Sequence, residues 1–187
     1  MTAMAMNIPN ALTLLRILLV PALVVYLGRA EYGIALCLLL LAGVSDILDG
    51  FIARRWNLCT RLGSFLDPLA DKLLIACSYL VLAGTGRLHL WLAAVVIGRD
   101  LVIVSGAAAF QRRTGILEMD PSVASKLNTF VQISLVLAVI ADGAGLLTTG
   151  HWLPALFLVT LATTIVSGGQ YVVVWGRRAW GASQRHR

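Results

Sequence analysis

The chain has 187 residues, 59% of them hydrophobic, and a mean hydropathy of +0.86. Soluble domains are about 45–50% apolar, so this composition excludes an ordinary soluble globule and points to a membrane protein. The net charge of +6 has no soluble basic face to carry it, which excludes nucleic acid as a partner and leaves membrane topology and anionic headgroups as its explanation.

No basic residue precedes the first apolar run, so the N-terminal stretch does not read as a cleavable signal. Asn7-Ile8-Pro9-Asn10 reads as a turn, with Asn10 as the N-cap of the first helix. Six spans are then expected, roughly Ala11–Leu27, Ile34–Leu48, Leu66–Ala83, Leu90–Phe110, Leu127–Ala141 and Ala155–Trp175. Each is judged against the about 17–25 residues that a spanning helix needs. The second is short alone and becomes long enough if its helix continues through Arg55. Pro68 either lies inside the third helix, freeing the Ser64 carbonyl, or marks its start with Asp67 as N-cap. Gln111 to Lys126, with Gly115 and Asp120-Pro121, is a loop. The other connections are short. The expected fold is therefore an all-α integral membrane protein, six transmembrane helices in a compact bundle, with residues 1–187 as one domain.

Basic residues set the orientation. Arg54, Arg55, Arg61, Arg112, Arg113, Lys126, Arg177, Arg178, Arg185 and Arg187 fall on one side, and only Arg29 and Arg87 lie in the opposite loops. The basic side is expected to be cytoplasmic, with both termini there, in a layout that fits a bacterial inner membrane. Trp91 and Trp152 fall at the outer boundary and Trp56, Trp175 and Trp180 at the inner one, as belt anchors. Cys37, Cys59 and Cys77 have no CxxC spacing and read as free thiols.

Asp46, Asp49, Asp67 and Asp71 are four of the nine acidic residues and fall in a single stretch at the cytoplasmic edge of the spans. A carboxylate there is expensive unless compensated. Asp46 and Asp49 lie three apart, Asp67 and Asp71 four apart, so each pair shares a helix face. Two helices can thus present carboxylates to a common point. Carboxylate oxygens suit hard cations such as Mg²⁺ or Mn²⁺, and two divalent ions balance four negative charges. Gly50 and Gly63 remove bulk beside this face, Ala53 keeps a turn slim, and Arg54 can clamp a phosphate. Taken singly, any of these aspartates reads equally as a helix cap or as half of an ion pair with Arg54, Arg61 or Lys72. Clustered carboxylates also fit a cation channel or transporter, but repeated halves and broken helices are missing from this chain.

The string Asp46-x2-Asp49-Gly50-x2-Ala53-Arg54-x8-Gly63-x3-Asp67-x3-Asp71 resembles the complete signature of the CDP-alcohol phosphotransferases. The resemblance implies a six-helix membrane fold with the active site on the cytoplasmic side and two divalent ions, Mg²⁺ or Mn²⁺. It implies Asp46, Asp49 and Asp67 as metal ligands, Asp71 as ligand and base, and Gly50, Ala53, Arg54 and Gly63 around the nucleotide. Asn10, Thr13 and Arg16 resemble the branch making phosphatidylglycerol phosphate and cardiolipin, where the first helix contributes to donor recognition. Read without it, they are a cap and a snorkelling arginine.

Two further clues concern the acceptor. Phosphatidylglycerol-phosphate synthases usually carry Arg-Glu and Gly-Lys-x-Lys-Thr where this chain has Arg99-Asp100 and Ser125-Lys126-Leu127-Asn128-Thr129. The versions found here resemble the CMP-forming cardiolipin synthases. Arg99 and Lys126 would then meet an acceptor phosphate. Adjacent residues do not face each other on a helix, so Arg99 is not expected to be neutralised by Asp100. The implied reaction moves a phosphatidyl group from CDP-diacylglycerol to a glycerol-type alcohol and releases CMP. Phosphatidylglycerol is preferred as acceptor over glycerol 3-phosphate, and serine or inositol phosphate rank below both. A homodimer is implied by analogy alone.

Overall fold

Long runs of Leu, Ala and Val satisfy their own backbone as helices, which is what an apolar solvent demands. The computed structural model describes the backbone of residues 7–56, 61–114 and 123–184, and side chains over 14–48, 50, 51, 55, 69–106 and 123–171. Six helices account for it: α1 Asn7–Gly28, α2 Tyr32–Trp56, α3 Arg61–Gly84, α4 Leu90–Thr114, α5 Val123–Gly143 and α6 Leu153–Gln184. Among the described residues there is no strand. As expected, α2 continues through Arg55. Helix α3 begins at Arg61 and runs through Pro68, so Asp67 is not its N-cap. Helix α1 begins at Asn7, so the expected turn over Asn7–Asn10 is instead the first helical turn. Pro9 is tolerated there because its missing N–H would have no intrahelical acceptor. Helix α6 extends past Trp175 to Gln184.

Three helices stop in the same way. Ala30, Gly86 and Gly145 adopt φ of 59°, 75° and 73° after α1, α3 and α5. Each pairs a residue with a helix carbonyl five positions back: Glu31 to Tyr26, Arg87 to Leu82 and Leu146 to Ala141. This is the Schellman stop, in which a left-handed residue closes the last turn. Ala30 does it with a Cβ, at a cost of about 1 kcal/mol relative to glycine.

The chain divides into two compact units. The first comprises Met1–Leu90 with Val136–Thr149, the second Trp91–Leu135 with Gly150–Arg187. In the first unit α1 packs against both α2 and α3. Leu23, Leu27, Leu39, Tyr79 and Leu82 are buried there, and Ala35, Ala42 and Ala70 let backbones approach closely. A clasp ties the turns of this unit together. The Arg87 guanidinium lies 4.9 Å from the centre of the Tyr32 ring and 3.6 Å from Asp142. Asp142 accepts from the Thr149 amide at 3.1 Å and hydroxyl at 2.6 Å. Gly143 lies under that ring; a Cβ there would come within 2.7 Å of it.

In the second unit the polar residues Arg99, Asn128, Gln132, Thr160, Thr164 and Ser167 are buried alongside the apolar Leu92, Val96, Ile103 and Leu135. Across both units, hydroxyls inside helices bond back to their own helix, as Ser45 does to Leu41 and Ser78 to Leu74, both at 2.7 Å. Large apolar side chains such as Leu18, Ile47, Phe130 and Leu158 face outward, the pattern of a surface covered by something other than water. Among the described residues, Val123–Gly143 and Leu153–Tyr171 are long and apolar enough to cross a membrane, and Leu14–Gly28 and Tyr32–Leu48 are shorter apolar helices.

Candidate functional site

Helices α1, α2 and α3 bring Arg16, Asp46 and Asp71 together. The Arg16 side chain is 1% exposed and donates from Nη2 to Asp46 Oδ1 at 2.8 Å and from Nη1 to Asp71 Oδ1 at 2.6 Å. Its planar fork suits this double contact. The carboxylates remain 46% and 44% exposed, so they stay reachable from outside. A buried guanidinium is tolerated because both carboxylates compensate it. The snorkelling alternative for Arg16 is therefore wrong: it points inward as a bridge. The sequence signal was partial: a charge inside an apolar span needs a partner, but the sequence does not say which one.

This geometry also tests the divalent-metal reading. Two carboxylate oxygens from different helices already reach the same cationic group, and such oxygens are hard donors. Among the described residues no group of three or more His, Cys, Asp or Glu gathers that could hold a metal ion; Asp46 and Asp71 supply two hard oxygen donors, and a divalent ion would need the motif's other carboxylates as well. Asp49 follows Asp46 by three residues on α2, and Asp67 precedes Asp71 by four on α3, but their side chains lie outside the described residues. So do those of Asn10, Thr13, Ala53, Arg54 and Gly63, while Cys59 lies outside them entirely. Gly50 is half-buried on α2.

The second unit holds the other two expected residues. Arg99 on α4 is buried. It donates from Nη1 to Asp100 at 2.6 Å, and from Nη2 to Ser125 at 2.8 Å and to Ser167. Its guanidinium lies 6.0 Å from the Tyr171 ring centre. The expectation that neighbours cannot pair fails here. The Cβ directions diverge, but the long arginine stem curls back to the adjacent carboxylate. Among the described residues, the buried Arg99 Nε has no hydrogen-bond partner. Lys126 is exposed, one residue after Ser125. Asn128 is fully buried, with the Thr163 and Thr164 hydroxyls at 3.0 and 2.9 Å from its Oδ1. Sequence reasoning missed Ser167 and Tyr171, because nothing local marks a serine or tyrosine on α6 as a partner of α4.

Residues 6–174 match the CDP-alcohol phosphatidyltransferase family. The chain belongs to that family. CDP-alcohol phosphatidyltransferases are integral membrane enzymes that use divalent metal ions, which removes the channel or transporter alternative. The chain is 35% identical over 181 residues to a CMP-forming cardiolipin synthase of Homo sapiens, covering 88% of this chain and 60% of that protein. Over 191 residues it is 35% identical to a CMP-forming cardiolipin synthase/mitochondrial hydrolase fusion protein of Schizosaccharomyces pombe, covering 89% of this chain and 31% of that one. It is 44% identical over 107 residues to a CDP-diacylglycerol–glycerol-3-phosphate 3-phosphatidyltransferase of Escherichia coli K12, covering 54% of this chain and 58% of the relative. The chain thus spans about 60% of the length of the human relative.

Proposed function

We propose that this CDP-alcohol phosphatidyltransferase moves the phosphatidyl group of CDP-diacylglycerol to a hydroxyl of phosphatidylglycerol, yielding cardiolipin and CMP. The reaction class rests on Asp46 and Asp71 meeting one cationic group within the eight-position motif. Asp46, Asp49, Asp67 and Asp71 would hold two divalent ions, Mg²⁺ or Mn²⁺, which when bound neutralise charge on the diphosphate oxygens. Asn10, Thr13, Arg16, Gly50, Ala53, Arg54 and Gly63 would receive the CDP moiety. Asp71 takes the proton of the acceptor hydroxyl, which is too weak a nucleophile at neutral pH without a base. The new bond forms between that oxygen and the lipid-bearing phosphorus. The bond from that phosphorus to the CMP oxygen breaks, and CMP leaves with the electron pair.

Arg99 and Lys126 would meet the acceptor's phosphate. Asp100 neutralises much of Arg99, and among the described residues Lys126 is the less compensated charge of that pair. One net cation suits a singly charged phosphodiester better than the near-dianion of glycerol 3-phosphate. The 44% identity to the Escherichia coli enzyme supports the second reading, with glycerol 3-phosphate as acceptor. The match over residues 6–174 supports one membrane domain. The hydropathy pattern supports six spans, and the basic-residue bias supports a bacterial inner membrane with cytoplasmic termini and site. A homodimer is the proposed assembly. Purified protein given labelled CDP-diacylglycerol, Mn²⁺ and each alcohol separately should form labelled cardiolipin from phosphatidylglycerol. Product from glycerol 3-phosphate alone would move the assignment to the second reading, and product from neither would end both.

A further inference from the structure

The motif's four carboxylates carry four negative charges, and Arg16 adds one positive charge that, among the described residues, contacts Asp46 and Asp71. The guanidinium is buried at 1% exposure and brings five N–H donors and one formal positive charge to the site. Among the described residues its ion pairs include Asp46 and Asp71, one from each helix of the motif, each through an oxygen that a divalent ion would also need. Guanidinium and metal ion therefore compete for the same lone pairs, while both are attracted to the same carboxylates. A long arginine stem can move its head by a few ångströms without moving α1. Once two divalent ions bind, the four carboxylates are neutral in sum, and the Arg16 charge is left over for an anion.

We infer that Arg16 is a resident counter-ion of this site: it holds Asp46 and Asp71 together while no metal is bound, yields those oxygens to divalent ions, and then supplies the surplus positive charge toward the donor's diphosphate. This rests on the metal-site reading above and adds a competition to it. The counter-ion serves two ends. It keeps clustered carboxylates from repelling one another and opening the α1–α2–α3 packing, and it sets the divalent-ion concentration at which the site loads. Bound metal and bound donor should in turn favour each other, because the metal drives the guanidinium off the carboxylates that otherwise hold it.

The test is Mn²⁺ binding by electron paramagnetic resonance, on whole protein in detergent and without substrate, for wild type, Arg16→Met, Arg16→Lys and Asp46→Asn. Methionine keeps an unbranched stem of similar bulk and removes the competing charge. Arg16→Met should bind Mn²⁺ about tenfold tighter, since a unit charge within contact distance of the same oxygens is gone. Arg16→Lys, whose single ammonium cannot fork, should fall between. The thermal midpoint of metal-free Arg16→Met should drop below wild type, and saturating Mn²⁺ should close most of that gap. Unchanged or weaker Mn²⁺ binding in both Arg16 variants, with binding lost in Asp46→Asn, would overturn the counter-ion role and leave the metal site standing. If Arg16→Met does not fold, Arg16→Lys decides alone: affinity equal to or below wild type overturns the proposal. Wild-type protein that binds no Mn²⁺, or an Asp46→Asn variant that binds it as well as wild type, would overturn the underlying site and the counter-ion with it.

Discussion

Asp71→Asn should separate chemistry from folding. Asp71 accepts from Arg16 Nη1 at 2.6 Å, while Asp46 holds Nη2 at 2.8 Å. Asparagine has nearly the same shape and keeps one acceptor oxygen, so the contact survives without its charge. Breaking a fully buried ion pair costs about 3–5 kcal/mol, and an exposed one contributes about 0–1 kcal/mol. Asp71 is 44% exposed and Asp46 stays in place, so the cost should be about 1–2 kcal/mol. At about 2–4 °C per kcal/mol for a chain of this length, the midpoint should fall by only a few degrees. Catalysis should fall much further. A positioned base contributes about 10²–10⁴-fold, and loss of a metal-binding charge adds to that, so CMP release should drop at least about 10³-fold. The assay is CMP formation from CDP-diacylglycerol at saturating Mn²⁺, beside a thermal scan in the same detergent. Turnover within about tenfold of wild type would refute Asp71 as the base. A variant that fails to fold would refute the argument that Asp46 suffices to compensate Arg16.

Lys126→Ala should raise the KM for the acceptor by about tenfold and leave the KM for CDP-diacylglycerol nearly unchanged, because it removes the less compensated charge of the Arg99–Lys126 pair; equal effects on both, in two-substrate kinetics, would contradict the acceptor assignment. Gly143→Ala should destabilise by about 1–2 kcal/mol, since the new Cβ would come within 2.7 Å of a Tyr32 ring covered by Arg87; a thermal midpoint at or above wild type would show that the ring moves freely. Asp67→Ala should weaken activity and its metal dependence together, and an unaltered Mn²⁺ requirement would remove it from the ligand set.

The parts of this protein set by local spacing were legible from its residues. The helices that carry the i, i+3 and i, i+4 aspartate pairs needed only apolar runs of spanning length, as did the continuation of α2 through Arg55. Contacts between distant positions were less accessible. Arg16 and Asp71 lie 55 positions apart, and the rule that an intramembrane charge seeks a partner says that one exists without saying which. The Arg99–Asp100 pair was misjudged for a different reason. Backbone direction governs short side chains, whereas a guanidinium on a four-bond stem reaches past it. The start of α1 was misplaced because Asn and Pro suit both a turn and a first helical turn, and only the residues beyond distinguish them.

The most direct measurement follows both halves of CDP-diacylglycerol at once, counting CMP released and phosphatidyl groups transferred as Mn²⁺ is removed by chelation and restored. The aspartate site predicts one CMP per transferred group, turnover extinguished without the ion, and recovery on its return in wild type but not in Asp71→Asn. Transfer that continues at full rate in the chelated protein would contradict it.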